Sequence, residues 1–409
     1  MKKWSKSTFR ALQHPNFRIF ITGQAISRIG TWMERTAVSW VVYDVTDSNF
    51  MLGLAAFCSQ FPMFIFSLYG GILSDRYNQH TIVLITQIAS LLQATLLAVL
   101  IYTNNYHIWH ILALVTLLGI INAFDVPARQ SLMNRLVTST TDLQNAVALN
   151  SSIVNIARLV GPALAGIILS KLGASICFTL NAVSYLAVII SLFLLKLTPH
   201  KIKTKTRSNL DEIKDGINYL KLNKQLGILT IYIGFIALLV SPYITLLPDF
   251  AKDMFHGDAE TFGYITSCIG FGAFLGSLFL AAQKETNRLT RVLLVNAVLL
   301  GISLMLFAYM TYLPIALLLT IITGFSGLTQ STICLTIIQT KSAPEMRGRM
   351  ISLFAMSLFG MLPLGGLLVG LVSHAIGSSL TVFLEGISAV LIAAIFYFIR
   401  TKNNTLSQS

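Results

Sequence analysis

Five ionisable side chains interrupt stretches of the chain that are otherwise apolar: Arg28, Glu34, Arg35, Arg158 and Glu385. A charge inside an apolar segment of membrane length is costly unless it is paired or faces water, so such residues indicate a functional site. Glu34 could exchange a proton, with its proton affinity modulated by a nearby cation, either Arg158 or Arg28. The alternative is a permanent structural ion pair between helices. Glu385 is the second candidate for a proton-exchanging carboxylate.

Polar and aromatic side chains that could contact a bound molecule accompany these charges. At about 100° per residue, Arg28, Trp32 and Arg35 share one face of a helix, and Glu34 lies on the face beside it. Asn155 shares a face with Arg158 in the same way. Aromatic and methionine side chains suit an amphipathic ligand, although they are more often packing residues. The further candidates for a substrate cavity are Tyr232, Tyr243, Gln330 and Met356.

The elements that must position these residues are transmembrane helices. The chain has 409 residues, of which 55% are hydrophobic and only 11% are charged, and its mean hydropathy is +0.72. Its apolar runs are continuous rather than alternating, which excludes a β-barrel, and each can cross a bilayer core of about 30 Å. We predict an all-α integral membrane protein with twelve transmembrane helices in two six-helix bundles. The predicted spans are 17–42, 50–73, 81–102, 108–127, 146–169, 174–195, 226–248, 260–282, 292–310, 313–338, 350–373 and 380–399.

The positive charge of the chain is distributed unevenly between the two sides of these spans. Most of the 29 lysines and arginines fall on the side that holds both termini. This asymmetry follows the positive-inside rule and predicts that both termini are cytoplasmic. Topology therefore accounts for the net charge of +13, and we expect no nucleic-acid partner.

A long hydrophilic interruption separates the two halves of the chain. The predicted domains are a six-helix bundle at 1–195, a cytoplasmic central loop at 196–225 and a second six-helix bundle at 226–409. Within the loop, residues 210–222 could form an amphipathic helix on the membrane surface. Sliding one half along the other places Pro162 on Pro363, each followed by small residues. Parallel six-span repeats with a site near the midplane are typical of alternating-access transporters.

The connection after the second predicted span reads Gly71-Ile-Leu73-Ser-Asp75-Arg76-Tyr-Asn78-Gln79-His80. It resembles the loop pattern of the major facilitator superfamily, Gly-x-Leu-x-Asp-Arg-x-Gly-Arg-Arg/Lys. Gly71 would let helices approach closely, and Asp75 would form a conformation-dependent latch with a helix N-terminus or an arginine. Asn78, Gln79 and His80 depart from the family pattern, and an ordinary polar turn is the alternative.

The fifth predicted span carries small residues in a regular spacing, Ala148-x8-Ala157-x3-Gly161-Pro162-x2-Ala165-Gly166. It resembles the antiporter motif of the exporters of this superfamily, with alanine at three glycine positions. Small residues at this spacing allow the helix to bend at Pro162 and to pack tightly against a neighbour. The resemblance favours an exporter over an importer, whereas plain small-residue packing would occur in either.

Three further segments narrow the resemblance to one exporter branch. They are Gly30-Thr31-Trp32-Met33-Glu34, Asp125-Val-Pro127-Ala128-Arg129-Gln130 and Pro344-Glu345-Met-Arg347-Gly348-Arg349. The branch includes macrolide efflux proteins and enterobactin-type siderophore exporters, often grouped as transmembrane secretion effectors. The spacing of Asp125 and Arg129 suits a local ion pair. A gate formed with Arg347 or Arg349 is the competing interpretation.

The sequence therefore predicts a secondary active transporter, driven by protons, that exports a drug-like molecule or a siderophore across the bacterial inner membrane. The alternatives are an importer of a nutrient or lipid and, more remotely, a membrane-embedded enzyme or sensor. We expect no enzymatic activity, cofactor or metal, because no nucleotide-binding or metalloprotease motif is present in the sequence. The expected partners are a small-molecule substrate, protons and the lipid bilayer, and the resemblance implies a monomer.

Overall fold

The structure of the chain, a computed structural model, describes residues 9–137, 139–197, 209–283 and 289–406. Within these residues every regular element is a helix and no β-strand occurs. The basic residues of the predicted cytoplasmic side at 2–6, 201–207 and 284–288 lie outside the described residues. Residues 198–208 of the predicted central loop also lie outside them.

Thirteen helices longer than two turns organise the described part of the chain. They are α1 (Pro15–Thr46), α2 (Asn49–Arg76), α3 (Gln79–Tyr102), α4 (Ile108–Arg135), α5 (Thr140–Leu172), α6 (Ala174–Phe193), α7 (Asn209–Leu222), α8 (Lys224–Leu239), α9 (Ala259–Ala281), α10 (Leu289–Phe307), α11 (Leu313–Lys341), α12 (Arg347–Ile376) and α13 (Ser378–Leu406). A 3-10 turn at Arg10–Gln13 precedes them.

Twelve of these helices correspond to the predicted spans. Among the described residues, eleven segments are long and apolar enough to cross a membrane, and α8 qualifies together with its continuation to Met254. The remaining one, α1, has 32 residues, enough for a span, but it carries Arg28, Glu34 and Arg35. The prediction of an all-α membrane protein is confirmed.

Two helices, α4 and α8, depart furthest from the predicted span boundaries. Helix α4 runs through Pro127 to Arg135, although the prediction ended the span at the proline. Membrane helices tolerate such a proline where neighbouring groups satisfy the freed backbone carbonyl. Helix α8 ends at Leu239 and continues as a 3-10 segment (Ser241–Leu246), one α-helical turn (Leu247–Asp249) and a π-helical turn (Phe250–Met254). Pro242 lacks an amide hydrogen and therefore cannot continue the α-helical bonding pattern.

The first of two compact units contains α1, most of α2, and α3 to α6. Its residues fall within Met1–Thr46, Cys58–Lys205 and Asp258–Gly263. In this unit α1 packs on α5 and α6, and α3 packs on α4 and α6. Gly23 and Gly30 allow α1 to approach α6, since a β-carbon on Gly23 would lie 2.8 Å from the Ala187 carbonyl oxygen. A buried apolar cluster fills one end of the unit and includes Phe17, Phe20, Val83, Leu132, Val188 and Leu192.

The second compact unit contains α7, α8, most of α9, and α10 to α13. Its residues fall within Asp47–Phe57, Thr206–Gly257 and Tyr264–Ser409, so it also includes the first residues of α2. In this unit α10 packs on α11 and α13, and α12 packs on α8. Gly53 of α2 lies against Gly366 and Gly370 of α12, and a β-carbon on Gly53 would come within 2.6 Å of the Gly366 carbonyl oxygen.

Helix α7 confirms the short helix predicted at 210–222. It lies against α12, because Gly216 leaves room for Leu353, whose Cδ1 would be 2.9 Å from a β-carbon at that glycine. The Tyr219 hydroxyl accepts a hydrogen bond from the Ala343 amide at 3.1 Å, and Arg349 donates to Asp215 at 3.2 Å. Its position on a membrane surface stays a prediction.

Candidate functional site

Glu34 lies in the interior of the first unit, where α1 faces α3 and α6. Its side chain is buried, with 2% of its surface exposed. One carboxylate oxygen accepts a hydrogen bond from Gln93 Nε2 of α3 at 3.2 Å, and the other accepts from Asn181 Nδ2 of α6. Both donors are neutral amides. Among the described residues, no cation lies within ion-pairing distance of this carboxylate.

Gln93 and Asn181 are site residues that sequence reasoning missed. Both are fully buried. The signal was an amide side chain inside an otherwise apolar span, which needs a hydrogen-bond partner because an unsatisfied polar group in hydrocarbon is costly. That signal predicts that a partner exists, but it does not identify the partner. For Gln93 the partner is Glu34, which lies 59 residues away along the chain.

Arg35 of α1 and Arg158 of α5 share one aromatic side chain. Their guanidinium carbons lie 5.3 Å and 5.2 Å from the centroid of the Trp32 ring, within the range of a cation–π interaction. Arg35 is exposed, whereas Arg158 is half-buried and its Nε atom has no hydrogen-bond partner. Neither arginine pairs with a carboxylate among the described residues.

Neither of the two arginines that were expected to modulate Glu34 forms an ion pair with it. Arg158 contacts Trp32, and the Nε atom of Arg28 is buried without a hydrogen-bond partner. Glu34 points instead toward the amides of α3 and α6. The alternative of a permanent ion pair between Glu34 and Arg158 is not what the structure contains.

Asp125 and Arg129, one helical turn apart on α4, form a buried ion pair. Asp125 is 1% exposed and also accepts hydrogen bonds from Thr86 at 2.8 Å and Gln87 at 2.9 Å, both on α3. Arg129 donates to Gln24 of α1 at 3.0 Å. The local ion pair expected from the spacing is present, and it connects three helices of the first unit.

Arg347 and Arg349, the other proposed gate residues, lie at the start of α12 in the second unit. Arg349 pairs with Asp215 of α7 at 3.2 Å. Arg347 is exposed and makes no ion pair with a described residue. A gating role for either arginine stays a prediction.

Asp75 and Arg76, the last two residues of α2, are exposed and make no ion pair with any described residue. A latch formed by Asp75 therefore stays a prediction. Asn78 caps α3, since its side chain accepts from the His80 amide at 3.1 Å. Gln79 is buried, donates to the Ser74 carbonyl oxygen at 2.7 Å and accepts from Arg135 at 2.8 Å. The residues that depart from the family pattern thus have structural partners.

The prediction that Gly71 allows a close helix approach was wrong. A β-carbon on Gly71 would meet no atom within 4 Å. The neighbouring glycine, Gly70, makes the close approach, against the backbone of Ala123 on α4. Successive residues of an α-helix are rotated by about 100° around the helix axis, so adjacent glycines face different surroundings.

The small residues of α5 contact two helices. A β-carbon on Gly161 would lie 2.5 Å from Trp32 Cβ on α1. Further along, a β-carbon on Gly166 would lie 2.7 Å from the Ala259 carbonyl oxygen, and one on Gly263 would lie 2.7 Å from that of Pro162. Tight packing at this spacing is therefore present. An exporter-specific role for the motif stays a prediction.

Asp258 caps α9, outside the membrane-spanning segments. It accepts hydrogen bonds from Ser170 Oγ at 2.7 Å and from the amides of Glu260 at 3.0 Å and Thr261 at 3.2 Å. Desolvation acts to raise the pKa of Asp258, but these hydrogen bonds outweigh it and the pKa lies below its ordinary value.

Three of the cavity candidates are core residues here, which is the alternative that the sequence left open. Tyr232, Tyr243 and Gln330 are 3%, 4% and 0% exposed. The Tyr232 hydroxyl donates to Gln330 Oε1 at 2.5 Å, and the Tyr243 hydroxyl donates to Thr323 at 3.0 Å. Met356 is 41% exposed, and Asn155 is half-buried. Contact of these two with a substrate stays a prediction.

Glu385 of α13 is buried in the second unit, with 4% of its surface exposed. Neither carboxylate oxygen has a hydrogen-bond partner. Such a group is costly when ionised and is therefore expected to carry a proton.

The described residues contain eleven segments that can cross a membrane and the long helix α1, with charged residues inside them, a combination typical of membrane transporters of the major facilitator type. Such a protein moves small molecules through a lipid bilayer. The description "transmembrane secretion effector" matches residues 6–408, and the chain belongs to that family. The resemblance seen in the sequence is thereby confirmed.

Two relatives and one solved structure are consistent with this assignment. The chain is 28% identical to the staphyloferrin A transporter of Staphylococcus aureus, over 94% of this chain and 96% of the relative. It is 23% identical to macrolide efflux protein A of Streptococcus pyogenes, over 91% of this chain and 93% of that relative. Its fold matches a bacterial homologue of the human lysosomal transporter Spinster with a TM-score of 0.71 and 14% identity, over 95% of this chain and 97% of that one.

Proposed function

We propose that this protein is a proton-coupled exporter that moves a drug-like molecule or a siderophore out of the bacterial cell by alternating access. Relatives named for macrolide efflux and for staphyloferrin A transport support the export of such molecules. In the proposed arrangement, bundles at 1–195 and 226–409 flank a cytoplasmic loop at 196–225. Both termini are cytoplasmic, the membrane is the inner membrane, and the monomer is the working unit.

The observation that carries the coupling proposal is the hydrogen-bonding of Glu34. A buried carboxylate held by two neutral amides keeps an uncompensated charge, so protonation removes a large desolvation cost. A permanent ion pair would instead hold the carboxylate in its ionised form. Glu34 is therefore suited to bind a proton from one side of the membrane and release it to the other as its access to water changes.

Gln93 could accommodate both protonation states of Glu34. Its Nε2 donates to the carboxylate, while its Oε1 is buried without a hydrogen-bond partner. Rotation of the amide by half a turn would present Oε1 to a protonated Glu34, whose hydroxyl would then donate to it. The same rotation would accommodate the amide of a glutamine at position 34.

Substrate-driven proton flux in proteoliposomes tests this role. A pH-sensitive dye inside the vesicles would report proton movement when a probe, either the tricarboxylate tricarballylate or the macrolide erythromycin, is added to the wild type and to Glu34→Gln. We expect the wild type to couple the movement of at least one of these probes to protons and the variant to lose that proton flux. Wild-type flux in Glu34→Gln, with the variant folded, would contradict the proposed role.

Two other glutamates provide matched controls. Glu345→Gln changes an exposed residue before α12, so its proton flux should equal that of the wild type. Glu385→Gln removes the other buried carboxylate. Loss of flux in Glu385→Gln alone would transfer the proton site to the second unit.

Direction and substrate class need a separate measurement in cells. Mass spectrometry would compare culture supernatants and cell extracts of the native host, with and without the gene, at low and high iron. A chelator lost from the medium and retained in the cells would indicate siderophore export. An unchanged chelator with protonophore-sensitive efflux of macrolides or cationic dyes would indicate drug export. Accumulation of the added macrolide or dye in the cells, driven by the proton gradient of the cell membrane, would identify an importer.

A further inference from the structure

The pair of guanidinium groups on Trp32 has no counter-ion in the part of the chain that the structure describes. Arg35 and Arg158 come from different helices and lie within 5.3 Å of the centroid of the same ring. Neither makes an ion pair with a described residue. Two positive charges thus meet on one aromatic surface inside the membrane-spanning part of the first unit.

Glu34, the carboxylate next to Arg35 in the sequence, does not neutralise this pair. Its two oxygens accept from Gln93 of α3 and Asn181 of α6. The ion pair of Asp125 with Arg129 is likewise complete without Arg35 or Arg158. No described carboxylate thus neutralises the two guanidinium groups, and an anion from outside the protein would do so.

The surroundings of the arginines favour a built site over an accidental contact. Gly161 brings α5 close enough to α1 for Trp32 to receive both cations. The ring fixes the guanidinium groups by stacking while leaving their N–H groups available. Asn155, one turn before Arg158 on α5, is half-buried and adds a neutral amide that can donate or accept.

We propose that Arg35 and Arg158, held on Trp32, bind the carboxylate groups of an anionic transported molecule. A guanidinium group takes a carboxylate in a two-pronged geometry, so two arginines match a molecule with at least two carboxylates. This inference rests on the proposed transport function and specifies its substrate class. The competing explanation is a purely structural cation–π contact that joins α1 and α5.

Equilibrium binding to the full-length protein in lipid nanodiscs tests the proposal. The probe is radiolabelled tricarballylate, a simple tricarboxylate, and its trimethyl ester is the uncharged competitor. We expect tricarballylate to bind, the ester to compete poorly, and Arg35→Gln and Arg158→Gln each to weaken binding by at least about tenfold. Arg158→Lys keeps the charge but loses the two-pronged geometry, so it should retain part of the affinity.

Arg18→Gln is the matched control, because Arg18 is exposed on the same helix, α1. It removes the same charge and should leave the affinity unchanged. Unfolding temperatures of all variants would show that each is folded. Wild-type affinity in folded Arg35→Gln and Arg158→Gln, equal binding of acid and ester, or no binding of tricarballylate to the wild type would each overturn the proposal. Displacement of the probe by inorganic phosphate at a lower concentration would overturn the carboxylate assignment.

The two proposals fail in different ways. If the arginines bind the carboxylate probe but the reconstituted protein moves no substrate against a proton gradient, the binding inference holds and the transport proposal fails. If proton-coupled efflux occurs for uncharged molecules at wild-type rates in Arg35→Gln and Arg158→Gln, the transport proposal holds and the anion site is overturned.

Discussion

Gly161 lies directly against Trp32. A β-carbon on this glycine would come within 2.5 Å of Trp32 Cβ, a distance that real β-carbons do not reach. The ring that this contact positions is the one that Arg35 and Arg158 flank. A backbone position on α5 thus determines the geometry of a charged cluster on α1.

Gly161→Ala is therefore expected to displace Trp32 and to separate α5 from α1. Overpacking of this kind costs typically about 1–3 kcal/mol. We expect a lower unfolding temperature in detergent and, because the two guanidinium groups lose their common surface, weaker binding of the carboxylate probe.

Gly71→Ala is the matched control for this prediction. A β-carbon at Gly71 would meet open space, so the substitution should not destabilise the protein and could stabilise α2 by up to about 1 kcal/mol. Equal unfolding temperatures for Gly161→Ala and the wild type would show that the helices relax around the added methyl group.

Loss of one partner of the buried ion pair of Asp125 and Arg129 is expected to destabilise the first unit strongly. Asp125→Asn or Arg129→Gln leaves one buried charge without its partner, and breaking such a pair costs about 3–5 kcal/mol. The double variant removes both charges. Its loss of stability should therefore be smaller than the sum of the losses in the two single variants. Thermal unfolding in detergent would measure all three variants.

Asp75→Asn is the control for this cycle. Asp75 is exposed and makes no ion pair with a described residue, so the unfolding temperature of the Asp75→Asn variant should match that of the wild type. Strictly additive losses in the double variant would mean that Asp125 and Arg129 act independently, through Thr86, Gln87 and Gln24 rather than through each other.

The cap at Asp258 predicts a pH-dependent contribution to stability. The pKa of Asp258 in the folded protein lies below its unfolded value of about 3.9. The stabilisation is therefore complete above the unfolded pKa and is lost as the pH falls through the folded pKa. Loss of a cap costs about 1 kcal/mol, so Asp258→Ala should lower the unfolding temperature at pH 7.

The difference between wild type and Asp258→Ala should shrink as the pH falls below about 4. Ser170→Ala removes one hydrogen bond to the carboxylate and should reproduce part of the loss. A difference that stays constant from pH 7 to the acid limit would mean that the ionised carboxylate contributes nothing to the cap.

Several elements could be predicted closely because their signals are local. The span at 108–127 and helix α4 begin at the same residue, and the amphipathic segment at 210–222 matches α7 within one residue. The spacing of Asp125 and Arg129 predicted their ion pair, since residues four apart on a helix are neighbours. The role of Gly71 could not be decided in this way, because only the path of α4 determines which of two adjacent glycines it approaches.

The sequence by itself determined that the protein is a helical membrane protein, because hydropathy, span length and the distribution of charge are properties of consecutive residues. It also placed Glu34, Arg35 and Arg158 inside spans. Only the tertiary structure decided their partners: amides for Glu34, and a shared indole ring for the two arginines. Periodicity defines the face of a helix, but the neighbour of that face follows from how the helices pack, which depends on contacts between residues far apart in the chain.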